Sequence, residues 1–139
     1  MNGKQRIVAA LNLQPVDRTP VWFMRQAGRH LPEYRKIAAE HNFWERCMDV
    51  DLCKTITLQP LERYQKIDAA IIFSDILTPL PSLGYDVEYG GGIRISDFNL
   101  DDVDDWINFS ARKHAPWAAD GLQAVGEEIG DTTARLGFV

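Results

Sequence analysis

Five apolar residues in succession, Ala69-Ala70-Ile71-Ile72-Phe73, set between Asp68 and Ser74-Asp75, restrict this chain more than any other stretch. A strand with one wet face alternates apolar and polar residues. A run without alternation predicts a strand covered on both faces, as in a parallel sheet. Parallel strands need a long crossover between them. A second buried strand is predicted at Ala134-Arg135-Leu136-Gly137-Phe138-Val139, behind a helix whose Trp117, Leu122, Val125 and Ile129 share a face and which Gly130 ends. Strand, connection with helix, strand is how an α/β fold with a parallel sheet begins.

The remaining chain reads as elements around that pair. Residues 4–13 place Ile7, Val8 and Leu11 on one helical face, and Pro15 stops that helix. Asp17 to Pro20 is turn-like, and Val21-Trp22-Phe23-Met24 is a short apolar run before a polar block. Pro32 suits a first helical turn, with the helix running from Glu33 to Glu40. Asp49 is an expected N-cap for a helix to about Tyr64, with a bend or break at Pro60. Pro79, Pro81 and Gly84 mark a loop. Tyr85–Tyr89 and Ile93–Ile95, joined through Gly90-Gly91-Gly92, read as a β-hairpin. The aspartates at 97, 101, 102, 104 and 105 lack the glycine and closing glutamate of a calcium loop, so they read as a solvated loop feeding a helix.

Composition narrows the function classes. Hydrophobic residues make up 45% and charged residues 25%, a globular balance. No run of about 18 apolar residues occurs, so no membrane span is expected. The start is too interrupted for a secretory signal, which suggests an intracellular protein. A net charge of −5 argues against a general nucleic-acid binder, and any acidic ligand must be drawn by a local arginine cluster. Cys47 and Cys53 have no partner in metal-ligand spacing and read as buried reduced thiols.

Two features could carry chemistry. Arg25 and Arg29 lie four apart with Gly28 between them, and two planar guanidinium forks make a clamp for a polyanion. Surface arginines paired with nearby acids would look the same. Asp75 closes the apolar strand, so its carboxylate is expected at the carboxyl edge of the sheet, where barrel and doubly wound folds build active sites. An N-cap for the Ile76-Leu77 turn explains it equally well.

Three blocks then carry a resemblance. Pro20-Val21-Trp22-Phe23-Met24-Arg25-Gln26-Ala27-Gly28-Arg29-His30-Leu31-Pro32-Glu33-Tyr34-Arg35 resembles the amino-terminal signature of the uroporphyrinogen decarboxylases. So do Thr57-Leu58-Gln59-Pro60-Leu61-Glu62-Arg63-Tyr64 and Asp68 through Asp75-Ile76-Leu77. The resemblance is clear over residues 5 to about 89. Residues 93–130 match only in pattern, and Leu136 to Val139 looks like the family's second barrel strand. It implies a (β/α)₈ TIM barrel working as a homodimer without metal or cofactor. The reaction implied is removal of the four acetate carboxyls of uroporphyrinogen III to give coproporphyrinogen III, in haem biosynthesis. The location implied is the cytoplasm, or a plastid in a photosynthetic eukaryote. By position, Arg25 and Arg29 would hold substrate carboxylates, and Gln26, Ala27 and Gly28 would line the same loop. Asp75 would bond the pyrrole N–H groups at the centre of the macrocycle. His30 departs from the family's usual tyrosine.

Two strands and a hairpin cannot cover a core. Residues 1–139 are therefore expected to be the amino-terminal fragment of one barrel domain, cut after the second strand, with the Ile71-Ile72-Phe73 face uncovered and with the family's later tyrosine and histidine lying outside it. A corrinoid- or cobalamin-linked methyltransferase of the same barrel superfamily is the second enzyme reading, disfavoured by the Arg-Gln-Ala-Gly-Arg block. A non-catalytic truncated product is the third.

Overall fold

In the computed structural model, the first apolar run forms β1 (Ala69–Ile71) and the second forms β4 (Ala134–Leu136), paired parallel with Ala69 opposite Ala134 and Ile71 opposite Leu136. The structure describes residues 1–27, 30–96, 99, 101, 104 and 107–138. The missing alternation has its expected cause, since alternate side chains of β1 enter cores on opposite faces. Ala69 packs with Ile7 and Ala134, under α1 (Gly3–Leu11). Ala70 and Ile72 pack with Cys53 of α4 (Val50–Arg63) and Val125 of α7 (Pro116–Ile129). Ile71 and Ile72 are thus buried and Phe73 is half-buried, contrary to the expectation that these three residues lie uncovered, because α1 lies against one side of the strand and α4 with α7 against the other.

Both strands are shorter than the sequence suggests. The last ladder bond is Ile72 N–H to the Leu136 carbonyl, 3.0 Å. Beyond it, the Phe73 N–H donates to the Thr57 hydroxyl at 2.9 Å, and the Cys53 thiol donates to the Phe73 carbonyl at 3.2 Å. Helix α4 therefore captures the backbone that would have continued the strand. In β4 only Ala134 is buried; Arg135 is exposed.

Helix α1 begins at Asn2, which forms a capping box with Gln5. Gly3 sits so near the Asp68 carbonyl that a Cβ there would lie 2.6 Å from it, which requires glycine. The buried face of α1 is Arg6, Ile7 and Ala9, while Val8 and Leu11 face out. The apolar stripe misled because Arg6 goes inward to an ion pair with Asp68. Helix α2 (Pro32–Glu40) starts at the expected proline. An unexpected helix, α3 (Phe43–Met48), follows, announced by the Asn42/Glu45 capping box. Asp49 then caps α4, its Oδ1 accepting from the Leu52 N–H at 2.9 Å. Helix α4 runs through Pro60 without a break. Only one intrahelical bond is lost there, and Pro60 is itself fully buried in the packed interior.

The segment expected as a loop holds a one-turn helix, α5 (Pro79–Ser82). Both prolines fall in the first turn, where a missing N–H costs nothing. The hairpin is as expected: β2 (Asp86–Tyr89) pairs antiparallel with β3 (Ile93–Ser96), and Gly91 and Gly92 take positive φ values in the turn. The Trp44 indole donates to the Val87 carbonyl at 2.8 Å and docks this hairpin on α3. A short helix, α6 (Ala111–His114), precedes α7, which ends at Gly130 with φ 54°. Of the acidic stretch, Asp97, Asp102 and Asp105 lie outside the described residues.

Candidate functional site

The loop between α1 and α2 is tied to the amino end of β1 by one buried carboxylate. Asp68 is 1% exposed and accepts from both Arg18 guanidinium nitrogens at 2.7 Å, from the Val21 N–H at 2.8 Å and from Arg6. Arg6 also grips Asp17 with Nε and Nη2, at 2.6 and 2.8 Å. Burial alone would raise the Asp68 pKa; Arg18, the Val21 N–H and Arg6 outweigh it and hold the carboxyl below its ordinary range. Arg6 and the amino-terminal ammonium likewise hold Asp17 well below the usual carboxylate range.

Past this knot, Phe23 to Gln26 closes a turn, with the Gln26 N–H donating to the Phe23 carbonyl at 3.1 Å. The Gln26 side chain is 3% exposed. Its Nε2 donates to the Ala69 carbonyl at 2.9 Å, and its Oε1 accepts from the Phe23 N–H at 3.1 Å. Gln26 therefore fastens the loop to β1. Ala27 is half-buried and packs toward Leu31, Tyr34 and Ile56. Arg25 is exposed and pairs with no acid among the described residues, so the reading of an arginine spent on a surface salt bridge does not describe it. Trp22, Phe23 and Met24 beside it are 38, 60 and 70% exposed. Gly28 and Arg29 lie outside the described residues.

At the far end of the loop, His30 Nε2 lies 2.8 Å from the Tyr64 hydroxyl, with the rings stacked at 29°. Next to them, Glu33 and Arg63 form a salt bridge with each other.

Asp75 lies beyond the carboxyl end of β1, four residues after the last strand residue instead of closing the strand. The Phe73 bonds to α4 set its position. Its Oδ1 accepts from the Leu77 N–H at 2.8 Å, and its carbonyl accepts from the Thr78 N–H at 3.1 Å and the Thr78 hydroxyl at 2.6 Å. The turn-capping alternative is thus real, and it uses one carboxylate oxygen. Tyr89, at the end of β2, turns its hydroxyl toward the same carboxylate; burial first, and Asp75 second, push that phenol above the ordinary tyrosine range. Its ring is held edge-on to Phe43 at 4.7 Å.

Sequence reasoning missed Tyr89, Thr57 and Cys53 as supports of Asp75. The four-residue spacing of Cys53 and Thr57 on one helix was the available signal for the last two; Tyr89 had none. Both cysteines are buried and reduced, as expected. Burial pushes the Cys53 thiol up to about 11 and the Cys47 thiol higher still, which leaves them unreactive. Among the described residues, no group of three or more His, Cys, Asp or Glu could hold a metal, and no helix is long and apolar enough to cross a membrane.

The match to known proteins runs nearly from end to end. Residues 2–139 fit the family described as Uroporphyrinogen decarboxylase (URO-D). A relative from Anaeromyxobacter sp. is 38% identical over 96% of this chain and 41% of its own length. One from Pseudomonas paraeruginosa is 41% identical over 96% of this chain and 39% of its own. One from Magnetococcus marinus is 50% identical over 66% of this chain and 26% of its own. All three carry the name uroporphyrinogen decarboxylase, and the chain spans about two fifths of the length of the first two. With the arginine loop, the α4 block and the β1–Asp75 block all inside the matched range, the chain belongs to the uroporphyrinogen decarboxylase family.

Proposed function

We propose that the protein serves the decarboxylation of the four acetate side chains of uroporphyrinogen III to give coproporphyrinogen III, in porphyrin and haem biosynthesis. The observation that carries this reading is the family match over residues 2–139, which takes in every residue of the candidate site. In the same reading β1 and β4 are two neighbouring strands of a (β/α)₈ barrel, supported by their parallel pairing across a crossover that ends in α7. A homodimer and a cytoplasmic location rest on the family resemblance. A nucleic-acid partner is disfavoured by the charge of −5.

The ligand so proposed is an amphiphile, a flat apolar macrocycle edged with eight carboxylates. Exposed Trp22, Phe23 and Met24 beside an unpaired Arg25 are suited to both parts of it. Arg25 and Arg29 hold carboxylates, Ala27 and Gly28 line the loop, and Gln26 serves by holding the turn against Ala69.

Losing CO₂ from an acetate arm needs a sink for the electrons of the breaking C–C bond. A proton added to a pyrrole ring carbon makes the ring cationic. The bond pair then flows into the ring as CO₂ leaves, the exocyclic methylene carbon takes a proton to become methyl, and the ring carbon returns its own. Asp75, as a carboxylate under the ring N–H groups, stabilises the cation. Two unit charges about 4 Å apart interact by roughly 4 kcal/mol at an effective dielectric near 20, about three decades of rate if felt only in the transition state.

The test is to incubate the complete gene product anaerobically with uroporphyrinogen III and separate the oxidised products. Stepwise loss of carboxyls, ending in coproporphyrin, is expected. An unchanged octacarboxylate would overturn the assignment.

A further inference from the structure

The His30–Tyr64 pair offers a hydrogen-bond donor to the outside in every protonation state that keeps the phenol intact. One proton sits between Nε2 and the hydroxyl, 2.8 Å apart. If Tyr64 donates it, the neutral imidazole carries its other proton on Nδ1, and that N–H points away from the contact. If Nε2 donates it, the phenol proton turns outward. An imidazolium supplies both donors and a charge. Neither ring hydrogen-bonds to anything else among the described residues.

The surroundings suit an anion. Glu33 and Arg63 neutralise each other, so no unpaired acid of theirs repels one. Both rings are carried on anchored backbone. Leu31, directly after His30, is 1% exposed, and the Tyr64 N–H donates to the Pro60 carbonyl at 2.8 Å at the end of α4. His30 also lies on the same loop as Arg25, five residues further on.

We infer that His30 and Tyr64 form a carboxylate-binding donor pair that extends the arginine loop and contacts one carboxylate of the same polycarboxylate ligand. This rests on the proposed function. Because the donors are held in place before the ligand arrives, little ordering entropy opposes the contact.

The pair is tested in the complete gene product, with uroporphyrin I as a non-reacting octacarboxylate probe in a fluorescence titration, alongside steady-state kinetics. His30→Phe should weaken binding roughly three- to tenfold, the worth of one hydrogen bond, and the loss should appear in KM more than in kcat. Tyr64→Phe should cost less, since the imidazole keeps an N–H. His30→Gln should restore part of the affinity, because its amide also donates. The double Phe variant should be weaker than either single variant, since His30→Phe still leaves the phenol O–H and Tyr64→Phe the imidazole N–H. Wild-type affinity in both single Phe variants would overturn the pair while leaving the proposed function intact. So would losses in His30→Phe that fall equally on kcat or come with a lower melting temperature. A wild-type protein that neither binds the probe nor turns over substrate would overturn both.

Discussion

Asp75 caps a turn through one carboxylate oxygen, and the catalytic duty proposed for its charge can be separated from that cap by one atom. Oδ1 closes the turn by accepting the Leu77 N–H. Asparagine has the same reach and keeps one acceptor there, so Asp75→Asn preserves the cap and removes only the charge. If Asp75 stabilises a protonated pyrrole, turnover should fall by about two to three decades while substrate binding and melting temperature stay near normal. Asp75→Glu keeps the charge but moves it about 1.5 Å, so it should retain some activity. Near-normal turnover in the asparagine variant would leave Asp75 a turn cap and nothing more. At this scale the sequence was informative where a residue's neighbours along the chain settle its role. Asp75 follows an apolar strand, and Arg25 sits among residues that have no acid to offer. It was silent where the partner lies far along the chain. Gln26 looks like a loop-lining amide, yet it is spent on the carbonyl of Ala69, which only the fold brings near.

The elements are held by ends and ties more than by propensity. Capping boxes at Asn2 and Asn42 and the Asp49 cap set where three helices begin. The start of α3 was readable as Asn-x-x-Glu, although its six residues are too few for an apolar period to show. The inward turn of α1 was not readable, because Arg6 is drawn in by an aspartate sixty-two residues away. That aspartate joins α1, the arginine loop and β1. Its removal should be felt by all three. Asp68→Asn leaves Arg6 and Arg18 without their shared charge, and breaking a buried pair of this kind costs about 3–5 kcal/mol. The pH dependence has a definite sign. The folded pKa of Asp68 lies below the unfolded value near about 3.9, so its contribution is complete above that pH and is lost as the pH falls through the folded value. Denaturant melts of the complete gene product between pH 6 and pH 2 (a window chosen to bracket that value, roughly) should show wild type losing stability steeply at the acid end. The asparagine variant should start lower and fall less. Parallel curves would mean that Asp68 is not the group that titrates.

At the scale of the whole molecule, surface area is the deciding quantity. A compact monomer of this mass is expected to expose about 7,300 Å² by the usual scaling, whereas these 139 residues expose 9107 Å². The excess is not charged fringe alone. Leu13 is 94% exposed, Leu11 and Ile76 77%, Ile107 73% and Met24 70%. The parallel pair β1–β4 also has two strands and therefore two unpaired edges among the described residues. The α/β character was legible in the sequence, since it depends on an apolar run that cannot sit at a wet surface, and the hairpin was legible in three consecutive glycines. Which apolar residues stay outside was not legible, because helical periodicity marks a stripe without saying what packs on it. Expressed as these 139 residues alone, the chain should therefore associate or lose fixed packing. It should elute above monomer size, bind a hydrophobic dye such as ANS, and melt over a broad range with weak near-UV dichroism. The exposed Val8, Leu11 and Leu13 patch at the end of α1 should contribute measurably. Replacing Leu11 and Leu13 with lysine should lower dye binding and shift elution toward the monomer without restoring a sharp melt, because the open strand edges remain. A soluble monomer with a cooperative melt, obtained from the unmodified chain, would show that the small apolar clusters found among the described residues suffice to hold this much surface together.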